Sequence, residues 1–186
     1  MALGHAYRPP PNLEDGVYLV DPAAQTIPSA KFASEYSSIG LVRIGDIIQP
    51  AAHDLTVQVA TGDNFTNHPR NFDCHPYNTM VLADYMQAMS SFHDRCNIEE
   101  VPERHKHDVV YCTGRQAILF AKAGSAIVYH CNASCQKQHC GGGHIPVFEQ
   151  WADKRCGKLK GAWFYSSWDF TMGRDVWGGT FCDEPV

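Results

Sequence analysis

The chain has 186 residues, 44% of them hydrophobic, and 15 Lys and Arg against 20 Asp and Glu give a formal net charge of −5. This composition is that of a globular protein and excludes a chain that is disordered throughout. No apolar run approaches the roughly 20 residues of a membrane span, and the acidic balance disfavours nucleic acid, so we expect a soluble protein with neither a membrane span nor a nucleic-acid partner.

The first 54 residues are predicted to form an N-terminal tail and extended segment, followed by a cysteine-rich module over residues 55–186. Residues 1–15 are rich in proline and polar residues, which favours an extended tail. Short runs with β-branched residues at Gly16–Val20, Gly40–Ile48 and Leu55–Ala60 predict strands or extended arms. In the last of these runs apolar and polar residues alternate, as in a half-buried strand.

Two helices are predicted in the module. Asn78 can cap the first helix, whose apolar residues recur at spacings of three and four. These residues are Val81, Tyr85, Met89, Phe92 and Cys96. Pro146 opens a second helical stretch over Val147–Cys156, which Gly157 is expected to end.

The remaining apolar runs predict an antiparallel sheet. They are Asp108–Cys112, Arg115–Ala121, Ser125–Asn132, Ala162–Trp168 and a returning segment, Gly173–Cys182. The predicted fold class is therefore α+β: an antiparallel sheet with two helices packed on one face, in the order β-α-β-β-α-β, stapled by disulfides.

All eight cysteines lie after residue 73. They are Cys74, Cys96, Cys112, Cys131, Cys135, Cys140, Cys156 and Cys182. Their even number, with glycosylation-type triplets at Asn64 and Asn132, predicts a secreted, extracellular glycoprotein with up to four disulfides.

The pairing of the last cysteine has two candidate solutions. A Cys156–Cys182 bond is expected because a strand that follows a helix through a short turn should lie beside it. In the alternative, Cys182 pairs with Cys74 and leaves Cys156 for Cys140 or Cys135.

The segment from His130 to His144 concentrates three histidines and three cysteines, so it is a candidate zinc site. Its cysteine spacing matches no standard zinc motif, and a loop tied by disulfides is the favoured interpretation. We therefore predict no metal and no cofactor, although metal binding by this loop stays open.

An enzyme is the less favoured class, because no nucleophile-elbow, zinc-protease or paired-carboxylate motif is present. The alternative is a secreted hydrolase that uses His105 and His107, or His130 and His144, as a base. No catalytic residue is assigned.

Aromatic residues crowd the C-terminal segment, where they could fill the core, stack on sugar rings or anchor a protein partner. The candidate binding residues are Trp163, Tyr165, Trp168, Arg174 and Trp177. A carbohydrate-binding module is therefore a further alternative.

Residues 72–184 resemble small secreted cysteine-rich proteins of filamentous fungi, many of them candidate effectors. The resemblance depends on residues 126–132, the pair Cys156-Gly157, residues 166–168, Gly173-Arg174 and Phe181-Cys182. The predicted element order is also similar to that of the killer toxins of smut fungi and of necrosis-inducing effector domains.

This resemblance implies secretion, disulfide-dependent stability and action on a host or competitor protein or cell-wall glycan, with no shared catalytic residues. The leading hypothesis is thus a secreted binding protein that acts as an effector or toxin-like virulence factor.

Overall fold

The computed structural model describes residues 7–23, 40–49, 71–104, 114–141 and 143–182. The strands in these ranges are β1 (Gly16–Val20), β2 (Leu41–Gly45), β3 (Asn71–Thr79), β4 (Glu100–Val101), β5 (Ala117–Ala123), β6 (Ala126–Asn132), β7 (Gln138–His139), β8 (Lys160–Tyr165) and β9 (Phe170–Val176). The helices are α1 (Leu82–Cys96) and α2 (His144–Cys156).

Seven of these strands form one antiparallel sheet in the order β2-β1-β5-β6-β9-β8-β3, while β4 pairs with β7. The α+β class and the antiparallel sheet are confirmed. The order β-α-β-β-α-β is wrong, because β1 and β2 join the sheet and a further strand, β9, overlaps the start of the returning C-terminal segment. The predicted boundary between residues 54 and 55 and the run Leu55–Ala60 lie outside the described residues.

Strands β5 and β6 form the centre of the sheet, and every residue in both of them is buried. Side chains of a strand alternate between the two faces of its sheet. Leu119 and Val128 therefore join the core on one face, while Phe120 and Tyr129 join the core on the other. A sheet centre buried on both faces explains why these strands appear in the sequence as continuous apolar runs.

Both helices pack on the same face of the sheet. Their buried apolar residues belong to one core cluster and are Tyr85, Ala88, Phe92 and Cys96 of α1 and Ile145, Phe148 and Ala152 of α2. Helix α2 begins at His144, three residues before the predicted start, and places Pro146 in its first turn, where no amide donor is needed. Gly157 ends it at φ 96°, a conformation that favours glycine.

The predicted cap of α1 is wrong. The helix begins at Leu82, and the residue in the cap position, Val81, makes no side-chain cap hydrogen bond. Asn78 lies in β3 instead.

The opposite face of the sheet is covered at its centre by both ends of the described chain. Tyr7 and Phe181 form an isolated antiparallel bridge, and their rings pack edge to face. Phe181 also stacks on Tyr129, with the ring centroids 4.8 Å apart. The centre of the sheet is thus closed on both faces.

Three disulfides join described residues: Cys74–Cys156, Cys96–Cys140 and Cys131–Cys182. The predicted Cys156–Cys182 bond is wrong, and so is the alternative pairing of Cys182 with Cys74. Cys135 is also disulfide-bonded, and Cys112 lies outside the described residues.

The disulfide partner of Cys182 differs from the predicted one because of the sheet topology. After α2 the chain passes through β8 and β9 and then crosses the face of the sheet away from the helices, where Cys182 is bonded to Cys131 of β6. Cys156 stays on the helix side and bonds to Cys74 of β3.

Candidate binding edge of the sheet

Strand β3 is the edge strand at one end of the seven-stranded sheet, and none of its nine residues is buried. It pairs with β8 in regular register from Asn71, which faces Tyr165, to His75, which faces Gly161. Edge strands need protection against pairing with other chains, and charged residues, prolines and bulges provide it. All three occur here: Asp73, Pro76 and an irregular register after His75.

The irregularity is a bulge over residues 76–78. Gly161 of β8 faces His75, but the next residue, Lys160, faces Thr79, so three β3 residues have no partner on β8. A bulge bends its strand and redirects side chains. Here it leaves Tyr77 with 96% of its surface exposed.

Asp175 of β9 holds the two ends of this bulge. One carboxylate oxygen, Oδ2, contacts Nδ1 of His75, and the other, Oδ1, accepts a hydrogen bond from Asn78 Nδ2 at 2.8 Å. Asp175 is 6% exposed and also accepts the amide of Val176. The bulge is therefore fixed by a buried carboxylate.

Gly161 lies between His75 and Asp175 and makes their contact feasible. A Cβ atom at Gly161 would lie 2.6 Å from Asp175 Oδ1 and 2.9 Å from His75 Cβ. Only a residue without a side chain leaves room for two side chains to meet across the intervening strand.

Two more exposed apolar residues follow within five positions of Tyr77. Val81 is 54% exposed and Leu82 is 55% exposed, whereas Met80 between them and the bulge is buried. We call Tyr77, Val81 and Leu82 the tip. Single exposed apolar residues are common on proteins, but three within six residues beside a braced bulge form a local apolar projection.

Four basic residues lie beside β3. They are Lys154, Arg155, Lys158 and Lys160, which we call the basic strip. The first three are exposed and the fourth is half-buried.

Several contacts place the basic strip along the edge strand. The Cys74–Cys156 disulfide joins β3 to the end of α2. The guanidinium of Arg155 lies 5.3 Å from the ring centre of Phe72, at the start of β3. At the other end, Lys160 Nζ donates to Thr79 Oγ1 at 2.6 Å. The basic strip therefore runs along β3, with Arg155 near the start of the strand and Lys160 at the end that leads to the tip.

Arg174, predicted as a binding residue, is 1% exposed and lies between the sheet and both helices. Its guanidinium donates to Glu149 Oε2 at 2.6 Å and Asp153 Oδ1 at 2.7 Å on α2, and to the Tyr85 hydroxyl at 3.2 Å on α1. Carbonyls of Lys160 and Gly157 accept its other bonds. Arg174 thus joins the two helices to β9.

In this cluster, burial destabilises the charged form of Glu149. Burial raises its pKa to about 7, although the positive charge of Arg174 opposes the shift. Its second oxygen, Oε1, is buried and has no hydrogen-bond partner, which makes the charged form costly.

His130 and His144 are brought together, as the hydrolase alternative requires, but in the helix-side core. The ring of His130 stacks on Phe170 at 4.8 Å, and His144 packs edge-on against the same ring. Burial lowers the pKa of His130 to about 3, with a further contribution from His144, and burial also lowers the pKa of His144. Both are therefore neutral near pH 7.

His130 is fully buried. The side chain of Gln138 opposes the lowering of the His130 pKa. Neither ring nitrogen of His130 has a well-formed hydrogen bond. Such a histidine acts as a packing residue. His105 and His107 lie outside the described residues.

The predicted aromatic residues do not form one surface. Trp163 and Trp177 are partly buried against the core on the face away from the helices. Tyr165 donates to Asp169 at 2.9 Å. Trp168 is 52% exposed beside His144.

Asn132 is fully buried, and its Nδ2 donates to the carbonyls of Val101, Pro102 and Gln136. A glycan on this nitrogen is incompatible with those contacts. The other predicted glycosylation residue, Asn64, lies outside the described residues.

The cysteines of the His130–His144 segment cannot bind zinc as thiolates, because Cys131, Cys135 and Cys140 are all disulfide-bonded. Among the described residues no group of three or more His, Cys, Asp or Glu side chains is arranged to hold a metal ion.

Neither the tip nor the basic strip is among the site residues predicted from the sequence. The one available signal for the strip was four basic residues within positions 154–160, which the acidic balance of the whole chain obscured. No sequence pattern marks Tyr77, because its exposure depends on the bulge.

Comparison with known proteins found no matching family model, no matching curated protein and no matching solved structure. Neither α1 nor α2 is long and apolar enough to cross a membrane, and these are the helices of the described ranges.

Proposed function

We propose that this chain is a secreted, disulfide-stabilised binding protein that acts as an effector or toxin-like virulence factor on a host or competitor cell. The described disulfides support secretion, since such bonds form and persist in oxidising compartments. The resemblance to secreted fungal proteins supports the biological role.

The observation that carries a binding function is the exposure of Tyr77 on a braced bulge. Tyrosine is enriched among the residues that dominate binding energy at interfaces. Here the ring is almost fully exposed, while the backbone that carries it is fixed by Asp175 through His75 and Asn78. A contact residue that is ordered before binding loses less conformational entropy when it binds.

The position of the Cys74–Cys156 disulfide supports the same function. Cys74 lies three residues before Tyr77 in the edge strand, and Cys156 lies four residues before Lys160 at the end of α2. The bond therefore stabilises the edge at which Tyr77 is presented, as well as the core.

The test is binding of the fluorescently labelled protein to intact plant and yeast cells and to cells freed of their walls. We expect saturable binding that falls at least tenfold in Tyr77→Ser. Ile98→Ser is the matched control, because Ile98 is 69% exposed elsewhere on the surface. Binding to walls alone would indicate a glycan target.

The proposal fails if no cell type binds the protein, or if Tyr77→Ser and Ile98→Ser bind as the wild type does. Thermal unfolding of each variant checks that the fold is unchanged, which is expected for substitutions at exposed positions.

The His75–Asp175 pair favours a second candidate, a secreted hydrolase. A buried carboxylate that contacts Nδ1 of an imidazole orients the ring, and the side chain of His75 is 37% exposed. An oriented, accessible imidazole is the arrangement of a general base or acid, which contributes about 10²- to 10⁴-fold to a rate.

This candidate is tested with ester, glycan and polynucleotide substrates. Hydrolysis that falls at least a hundredfold in His75→Gln, keeps its rate in Tyr77→Ser and returns when free imidazole is added would support it. A rate that is absent or unaffected by His75→Gln would remove it and leave His75 as a brace of the bulge.

A further inference from the structure

The tip and the basic strip lie side by side on one edge of the sheet. Backbone and side-chain contacts fix their relation: the Met80 amide donates to the Leu159 carbonyl at 2.9 Å, and Lys160 donates to Thr79. These contacts join residues 159–160, inside the segment of the basic strip, to residues 79–80, between Tyr77 and Val81 of the tip.

The charge of this edge is opposite to that of the whole chain. The protein carries a net charge of −5, yet four of its 15 Lys and Arg lie within residues 154–160. The acidic residue just before this segment, Asp153, is already bound to Arg174. Strand β3 contributes one exposed acidic residue, Asp73, so the exposed Lys154, Arg155 and Lys158 leave this edge with a net positive charge.

We propose that the tip and the basic strip together bind the surface of an anionic lipid membrane. Proteins that lie at the membrane interface combine Lys and Arg, which attract anionic headgroups, with exposed apolar and aromatic residues that enter the headgroup region. Tyr77 suits that depth, because its ring is apolar and its hydroxyl is polar. This inference gives a partner to the proposed binding function and rests on it.

The composition of the tip favours lipid over an acidic protein or a nucleic acid. Leu and Val are under-represented among the residues that dominate protein–protein binding energy. Nucleic acids are held by cationic grooves and stacking aromatics, and exposed Val81 and Leu82 add nothing to either. A projecting apolar tip fits a soft interface into which side chains can enter.

The direct experiment is co-sedimentation of the purified chain with phosphatidylcholine vesicles, with or without 30% phosphatidylserine. We expect a partition coefficient at least about 25-fold higher on the anionic vesicles, declining as salt rises, since salt screens surface charge. Lys154→Gln with Lys158→Gln should lower it roughly 25-fold, or about fivefold for each charge removed. Tyr77→Ser with Leu82→Ser should lower it at least tenfold.

The matched controls are Ile98→Ser for the tip and Arg115→Gln for the strip, both exposed and outside this edge. Each should bind within twofold of the wild type, and all variants should keep the wild-type melting temperature.

Three outcomes would overturn the inference. The first is no preference for anionic vesicles. The second is binding that depends on the basic strip but not on the tip, which would indicate a general polyanion site. The third is cell binding that requires Tyr77 but is lost after protease treatment of the cells and is not reproduced by vesicles, which would indicate a protein partner and leave the binding function intact. Absence of any cell binding, by contrast, is the failure of the proposed function itself.

Discussion

Strands β5 and β6 at the centre of the sheet and strand β3 at its edge have opposite environments. All 14 residues of the central pair are buried, whereas none of the nine residues of β3 is. The centre is covered by helices on one face and by Tyr7 and Phe181 on the other. The edge instead presents Tyr77 and the basic strip. In this sheet the centre is closed on both faces, and the edge exposes the groups that we propose for binding.

Removing the buried cation of the helix-side core should give the largest loss of stability. Arg174→Met leaves the buried Glu149 and the partly exposed Asp153 without their guanidinium, and at pH 8, above the pKa of Glu149, breaking a buried ion pair from one side costs about 3–5 kcal/mol. Chemical denaturation of this variant measures the loss. Arg115→Met, at an exposed position, should change the free energy of unfolding by about 0.5 kcal/mol or less. Equal effects of the two variants would contradict the structural role of Arg174.

The central strands were predictable, because burial on both faces leaves a continuous run of Val, Ile, Phe and Tyr in the sequence. Helix α1 was predictable for a similar reason, since its apolar residues recur every three or four positions. Both signals are local.

Strand β3 was not predictable, because it owes its conformation to pairing with β8. Its sequence has one β-branched residue, Thr79, and a proline in the middle, so no local pattern indicates a strand. The bulge, the brace by Asp175 and the exposure of Tyr77 follow from that pairing. The candidate binding edge therefore could not be predicted from the sequence, because it depends on the pairing of β3 with β8.

The core histidine should dominate the response to acid. The pKa of His130 is lowered from 6.5 to about 3, so the unfolded chain binds a proton that the folded protein excludes. The contribution of His130 to the free energy of unfolding is therefore intact above pH 6.5. As pH falls towards 3, about 4 kcal/mol of that free energy is lost. His130→Leu should remove that loss. Urea denaturation of both proteins at pH 7 and pH 3 measures it, and equal pH dependence in the two would contradict the burial of His130.

Glu149 should act in the opposite direction. Its pKa is raised from 4.5 to about 7, so the folded protein binds the proton more tightly than the unfolded chain does. The contribution of Glu149 to the free energy of unfolding is fully present below pH 4.5. As pH rises to 7, about 3 kcal/mol of that free energy is lost. Glu149→Gln should abolish this decline. Parallel curves for wild type and variant between pH 4.5 and 7 would show that Glu149 is not desolvated.

At the edge of the sheet, adding a single methyl group at Gly161 should loosen the β3 bulge. Gly161→Ala places a Cβ within 2.6 Å of Asp175 Oδ1, and relief of that clash separates Asp175 from His75. We expect a loss of about 1–3 kcal/mol and faster hydrogen exchange at residues 76–79. Gly179→Ala is the control, since its Cβ would meet nothing within 4 Å. Unchanged exchange in Gly161→Ala would mean that Asp175 does not brace the bulge.

Photo-crosslinking on cells tests most directly whether the protein binds through the β3 edge. A photoreactive benzoylphenylalanine is placed at position 77 in one protein and at position 98 in another, both exposed in the folded chain. We expect covalent adducts with cell-surface material from position 77 and not from position 98. Adducts from position 98 alone, or from neither position on cells that bind the protein, would contradict it.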